Sequence, residues 1–104
     1  MDIEKIIKEF RESLKEIYDG NLAKLILYGS YARGDFNSDS DIDLLVVLNE
    51  AEKPGKEIDR MIEIINNINL KYNILISVLP VSIEDFESLN SPLLLNVRRD
   101  GIEQ

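Results

Sequence analysis

The chain's 104 residues include neither Cys nor His and carry 12 basic against 20 acidic side chains, a net charge of −8. The length predicts one compact domain over residues 1–104, and the two zeros exclude disulfides, thiolate metal sites, cysteine nucleophiles and any mechanism needing an imidazole. The charge opposes general affinity for nucleic acid or an anionic membrane, unless divalent cations stand between carboxylates and phosphates.

The sequence begins MDIEKIIKEF, charged from its second residue, which is unlike a secretory leader or transit peptide. The longest apolar run, Ile42 to Leu48, contains Asp43 and is far too short for a bilayer. The expectation is a soluble, cytoplasmic protein.

From Asp2 to Asp19, apolar side chains recur at Ile3, Ile6, Ile7, Phe10, Leu14 and Ile17, a helical stripe that Asp2 can cap and Gly20 can end. Lys24 to Tyr28 and Ile42 to Leu48 read as strands, the second central and buried on both faces. Between them Gly29 to Ser40 reads as a loop, rich in Gly and Ser. Asn49 to Gly55 reads as another loop. A helix is predicted over Lys56 to Leu70, its inner face Ile58, Met61, Ile62, Ile65 and Ile68. A third strand is expected at Asn73 to Leu79, stopped by Pro80. Ser82 with Asp85 resembles a capping box opening a short helix through Glu87. Pro92 to Arg99 is the last predicted helix, closed by Gly101. This order predicts an α/β (α+β) fold, one small mixed sheet flanked by helices.

The chemistry concentrates in LYGSYARGDFNSDSDIDLLVV, residues 27–47. Gly29 and Ser30 follow a strand directly, where small residues let the backbone turn sharply and offer amides to an anion. Asp41 and Asp43 stand two apart at a strand start, so their carboxylates project from one face roughly 7 Å apart at Cα. Taken separately, a Gly-Ser turn and a strand-capping Asp are ordinary structural features. Asp43 is the exception, because a carboxylate in a buried strand costs several kcal/mol unless it is ion-paired or bound to a cation. Arg33, a Lys or a divalent ion could fill that role.

Gly29-Ser30, ten residues, then Asp41-Ile42-Asp43 resembles the signature of the polymerase-β-type nucleotidyltransferases. The string GSYARGDFNSDSDIDLLVV is similar to the minimal nucleotidyltransferase subfamily, often encoded beside a HEPN-domain toxin and acting as its antitoxin. The resemblance implies a polymerase-β-like nucleotidyltransferase core, ATP as substrate and magnesium as cofactor. It implies that Gly29 and Ser30 contact phosphate, that Arg33 organises the loop or contacts phosphate, and that Asp41 and Asp43 are the catalytic metal ligands. Gly34 belongs to the same motif, while Ser38 and Asp39 receive no role.

One departure stands out. From Ile64 to Ile83 there is no Asp or Glu, where the family commonly places a third acid. Ser77 or Asn73 is left at that place, and Asp59 and Glu63 on the preceding helix read as solvated. The expected function is transfer of AMP from ATP to a protein hydroxyl, a Tyr of a HEPN-type toxin, which silences the toxin. The alternative is an antitoxin of little or no activity that works by occlusion. Transfer to a small molecule such as an aminoglycoside ranks third, because one core leaves few walls for a second substrate. For the same reason a homo- or hetero-oligomeric partner is expected to complete the acceptor site.

Overall fold

The computed structural model describes residues 2–104. The first helix, α1, spans Ile3–Tyr18 with the Asp2 carboxylate accepting from the Lys5 amide at 3.1 Å, as a cap should. It ends at Asp19, whose φ of 48° breaks the helix one residue before the predicted Gly20. A single 3₁₀ turn, Asp19–Asn21, leads into β1, Leu22–Tyr28. A short helix α2, Gly29–Arg33, replaces the start of the predicted loop. The remaining elements are β2, Ile42–Leu48; α3, Pro54–Tyr72; β3, Ile76–Ser82; α4, Ile83–Ser88; α5, Pro92–Asp100; and β4, Ile102–Glu103.

The four strands form one mixed sheet in the order β3-β2-β1-β4, with β2 antiparallel to β1 and parallel to β3. Leu44, Val46 and Leu48 face α1 and α3 through Phe10, Leu14, Met61 and Ile65. Leu45 and Val47 face the opposite side, against Leu94 and Val97 of α5 and the partly buried Phe86 of α4. Helices therefore cover both faces of β2, and every residue of the strand except Asp43 is fully buried. This is the burial that a near-continuous apolar run predicts.

Further boundaries differ from expectation for physical reasons. Pro80 lies inside β3 rather than after it, because β3 is an edge strand and an edge tolerates a missing amide donor on its solvent side. The strand starts at Ile76, whose amide donates to Asn69 Oδ1 at 2.9 Å. Residue Asn73 instead caps α3 at a φ of 49°. Helix α3 starts at Pro54, a residue whose fixed φ suits a first helical turn. On α3, Ile62 is 44 % exposed and Ile58 partly buried, whereas Glu57 is wholly buried. Strand β4 is too short for any periodicity to reveal. The Ser82 cap on the Asp85 amide, 3.1 Å, and Gly101 at the end of α5 stand where predicted.

Glu57 is buried because every polar atom near it has a partner. Its Oε1 accepts from the Tyr18 hydroxyl at 2.9 Å and from Arg60 at 3.1 Å, and its Oε2 accepts from the Glu52 amide at 2.9 Å. Burial, and then this hydrogen bond, push the Tyr18 hydroxyl pKa up. The network ties α1, α3 and the loop after β2 together. Glu57→Ala should lower stability by roughly 2 to 3 kcal/mol, the cost of leaving buried donors unsatisfied. The urea midpoint measures this, and a midpoint at the wild-type value would contradict it.

Candidate active site

The antiparallel register sets Tyr28 directly across from Asp43, so the end of β1 and the start of β2 lie side by side at one end of the sheet. The Gly-Ser turn leaves β1 there, and the two Asp enter β2 there. Gly29 has a φ of +73°, and a Cβ at that position would lie 2.2 Å from Asp43 Oδ2. The turn is thus pressed onto the carboxylate, and only Gly fits. The first turn of α2 has no side-chain cap, which leaves its leading amides free to meet a ligand. Gly34 closes α2 with its amide on the Ser30 carbonyl at 2.9 Å.

Gly29, Ser30, Arg33 and Asp43 line one cleft of about 370 Å³ with Tyr28. Asp41 lies just outside it. It lines a different depression, with Ser38, Asp39 and Asn73, yet it is close enough to act on Asp43 through its charge. A hydrogen-bonded turn positions this stretch, the Asn37 amide donating to Ser40 Oγ at 3.0 Å and the Asp39 amide to Asn37 Oδ1 at 2.8 Å.

Arg33 does not neutralise Asp43 directly. Its guanidinium pairs at 3.2 Å with Asp35 on the exposed side of α2. Among the described residues Asp43 forms no ion pair. Desolvation pushes its carboxyl pKa up, the charge of Asp41 pushes it further, and Arg33 offsets part of this. Tyr28 is also pushed up, by burial and then by the charge of Asp43. A half-buried carboxylate without a cationic partner, with a second one nearby, is a donor set of hard oxygens suited to a divalent ion that keeps several waters.

The expected gap at the third acid is present in three dimensions. Ser77 is the register partner of Asp43 on β3, and Asn73 sits in the depression with Asp41. Asp59 and Glu63 are exposed on α3. Among the described residues no group of three acids is placed to hold a metal ion.

The opposite wall of the cleft was not anticipated. Leu93, Asn96, Val97 and Asp100 of α5 complete it. Their spacing of three and four marks one helical stripe, a signal present in the sequence, but only the packing of α5 shows that this stripe closes over the Gly-Ser turn.

The family model for the nucleotidyltransferase domain matches residues 7–100. A protein of Methanocaldococcus jannaschii, provisionally named a protein adenylyltransferase, is 36 % identical over 104 residues, covering 100 % of this chain and 95 % of that one. A second protein from the same organism with the same provisional name is 44 % identical over 77 residues, 74 % of this chain and 77 % of that one. The fold is similar to that in a crystal structure of a toxin-antitoxin with AMP-PNP, with a TM-score of 0.65 at 20 % identity over 99 % of this chain and 72 % of the other.

Proposed function

Because the chain belongs to the nucleotidyltransferase domain family, we propose that residues 1–104 form one catalytic domain transferring AMP from magnesium-ATP to a hydroxyl on a protein. The acceptor we assign is a Tyr of a HEPN-type toxin, which the modification silences. The observation that carries this reading is the contact of the Gly29 backbone with the Asp43 carboxylate, which leaves no room for a Cβ. It supports this reading by setting the backbone of the turn beside a carboxylate in one cleft. The similarity to protein adenylyltransferases supports a protein acceptor, and the toxin-antitoxin neighbour supports a toxin. The net charge of −8 suits a basic, RNA-handling partner. A cytoplasmic location, where ATP is plentiful, belongs to the same proposal.

Each residue has a defined task in this scheme. Gly29 and Ser30 receive the triphosphate on free backbone amides. Arg33, at the cleft edge, supplies the positive charge nearest the phosphates. Asp41 and Asp43 would hold magnesium, which would supply charge neutralisation at the phosphates and at the departing pyrophosphate. Tyr28, held protonated, walls the cleft and keeps bulk water from Asp43.

Magnesium-ATP at about a hundred times its dissociation constant should stabilise the protein by about 2.7 kcal/mol, read as a rise in melting temperature absent with ATP in EDTA. With ATP labelled at the α-phosphate, label should pass to the toxin from wild type and not from the Asp41→Ala, Asp43→Ala double variant. Toxin neutralisation by that double variant as strong as by wild type would sink the catalytic reading in favour of occlusion.

A further inference from the structure

Transfer to a hydroxyl requires that its proton go somewhere, and this chain has no His or Cys to take it. Among the side chains lining the cleft few can serve. Arg33 is cationic, Ser30 and Asn96 are not basic, and Tyr28 is a phenol, whose ordinary pKa of about 10 leaves it protonated at neutral pH. Asp43 faces the Gly29 turn. That leaves Asp100 on the far wall.

Asp100 occupies a position that helix electrostatics disfavour. It is the last residue of α5, where the helix dipole is negative and a carboxylate is unfavourable, and it faces a cleft that already holds Asp43. Arg99 grips Asp100 in a fork, Nε to Oδ1 at 3.1 Å and Nη2 to Oδ2 at 3.0 Å. That hydrogen bonding, opposed by burial and aided by the charges of Arg99 and Arg33, holds its carboxyl below the usual range. The side chain remains about one third exposed, so each oxygen keeps a lone pair available.

We propose that Asp100 is the catalytic base of the cleft, a role that rests on the nucleotidyltransferase reading of the same site. Its carboxylate accepts a hydrogen bond from the acceptor hydroxyl and takes the proton as that oxygen attacks the α-phosphorus. The new oxygen–phosphorus bond forms as the bond from the α-phosphorus to the bridging oxygen of the β-phosphate breaks. The electron pair departs with pyrophosphate, and Asp100 afterwards returns the proton to solvent. Arg99 aims the carboxylate and keeps it ionised. The acid thus comes from the C-terminal end of α5, on the wall facing the turn, rather than from β3.

The test uses magnesium-ATP with two defined acceptors, water and N-acetyltyrosinamide, and follows pyrophosphate release. Asp100→Asn should slow release about a hundredfold or more, the range for loss of a positioned base. Its magnesium-ATP thermal shift should stay at the wild-type value, and Asp100→Glu should recover part of the rate. Wild-type turnover by Asp100→Asn overturns the proposal. So does loss of its magnesium-ATP shift in proportion to the rate, which would make Asp100 a binding residue. A wild type that binds magnesium-ATP and turns over neither acceptor overturns it as well. Failure of magnesium-ATP to shift wild type at all refutes the nucleotide site itself, a separately readable result.

Discussion

Asp43→Asn should yield a protein that melts higher than wild type without ligand and no longer responds to magnesium-ATP. The carboxyl of Asp43 is raised above its ordinary pKa by desolvation, with the charge of Asp41 adding to the shift and Arg33 opposing it. A carboxyl raised on folding binds more protons in the native state than in the unfolded one. Its contribution to stability is present at low pH and is lost as pH climbs through the raised pKa. At neutral pH the ionised group costs stability, and Asn removes that cost while keeping the shape. Partial solvent contact screens the effect, so the gain is small and is read as a rise in melting temperature. The stability of wild type without ligand should fall as pH rises from about 4, the unfolded carboxylate value, and Asp43→Asn should flatten that fall. AMP transfer should drop at least a hundredfold, the scale for losing one preorganised electrostatic group. Scanning fluorimetry across pH, with and without magnesium-ATP, reads both effects. A variant that melts lower without ligand, or keeps the magnesium-ATP shift, would show that Asp43 is structural.

The same residue explains which parts of the molecule were legible beforehand. β2 was placed correctly, Ile42 to Leu48, because seven residues with one acid among apolar neighbours admit few alternatives. Gly29, Ser30 and Asp43 share one cleft because they are local in sequence and the antiparallel register of β1 and β2 brings the two ends together. What escaped depended on neighbours distant in sequence. Pro80 reads as a stop until β3 is known to be an edge strand. Ile62 reads as core until the packing of α3 is known, and nothing local marks Glu57 as buried, because Tyr18, Arg60 and the Glu52 amide converge on it only in the fold. Helix α2 is only five residues long, shorter than two turns and so without measurable period. Its cap at Gly34, with a φ of +82°, was visible as a Gly but not as a helix end. The α5 wall was hidden for a related reason. Leu93, Asn96 and Asp100 share a stripe, but a stripe does not say which face of a sheet it meets.

Gly29→Ala should abolish the magnesium-ATP response almost as completely as loss of Asp43, though the substituted residue contributes no functional group. Two costs combine. A left-handed φ of +73° costs an L-residue roughly 1 to 2 kcal/mol, and the new methyl meets Asp43 Oδ2 at 2.2 Å. The second cost can be relieved only by swinging the carboxylate out of the cleft or by unwinding the start of α2, and either movement dismantles the site. Gly34→Ala separates the two costs. That position has φ +82° with open space around it, so the variant should lose only the conformational term and still bind nucleotide. The clash itself is measurable through a double-mutant cycle. If Asp43 is what the methyl strikes, Gly29→Ala should destabilise the protein markedly in the wild-type background and by little more than Gly34→Ala in an Asp43→Ala background. Residues in contact couple by about 0.5 to 3 kcal/mol. Equal losses in both backgrounds would mean that the turn and the carboxylate are not pressed together, and the geometry that carries the functional reading would fall with them.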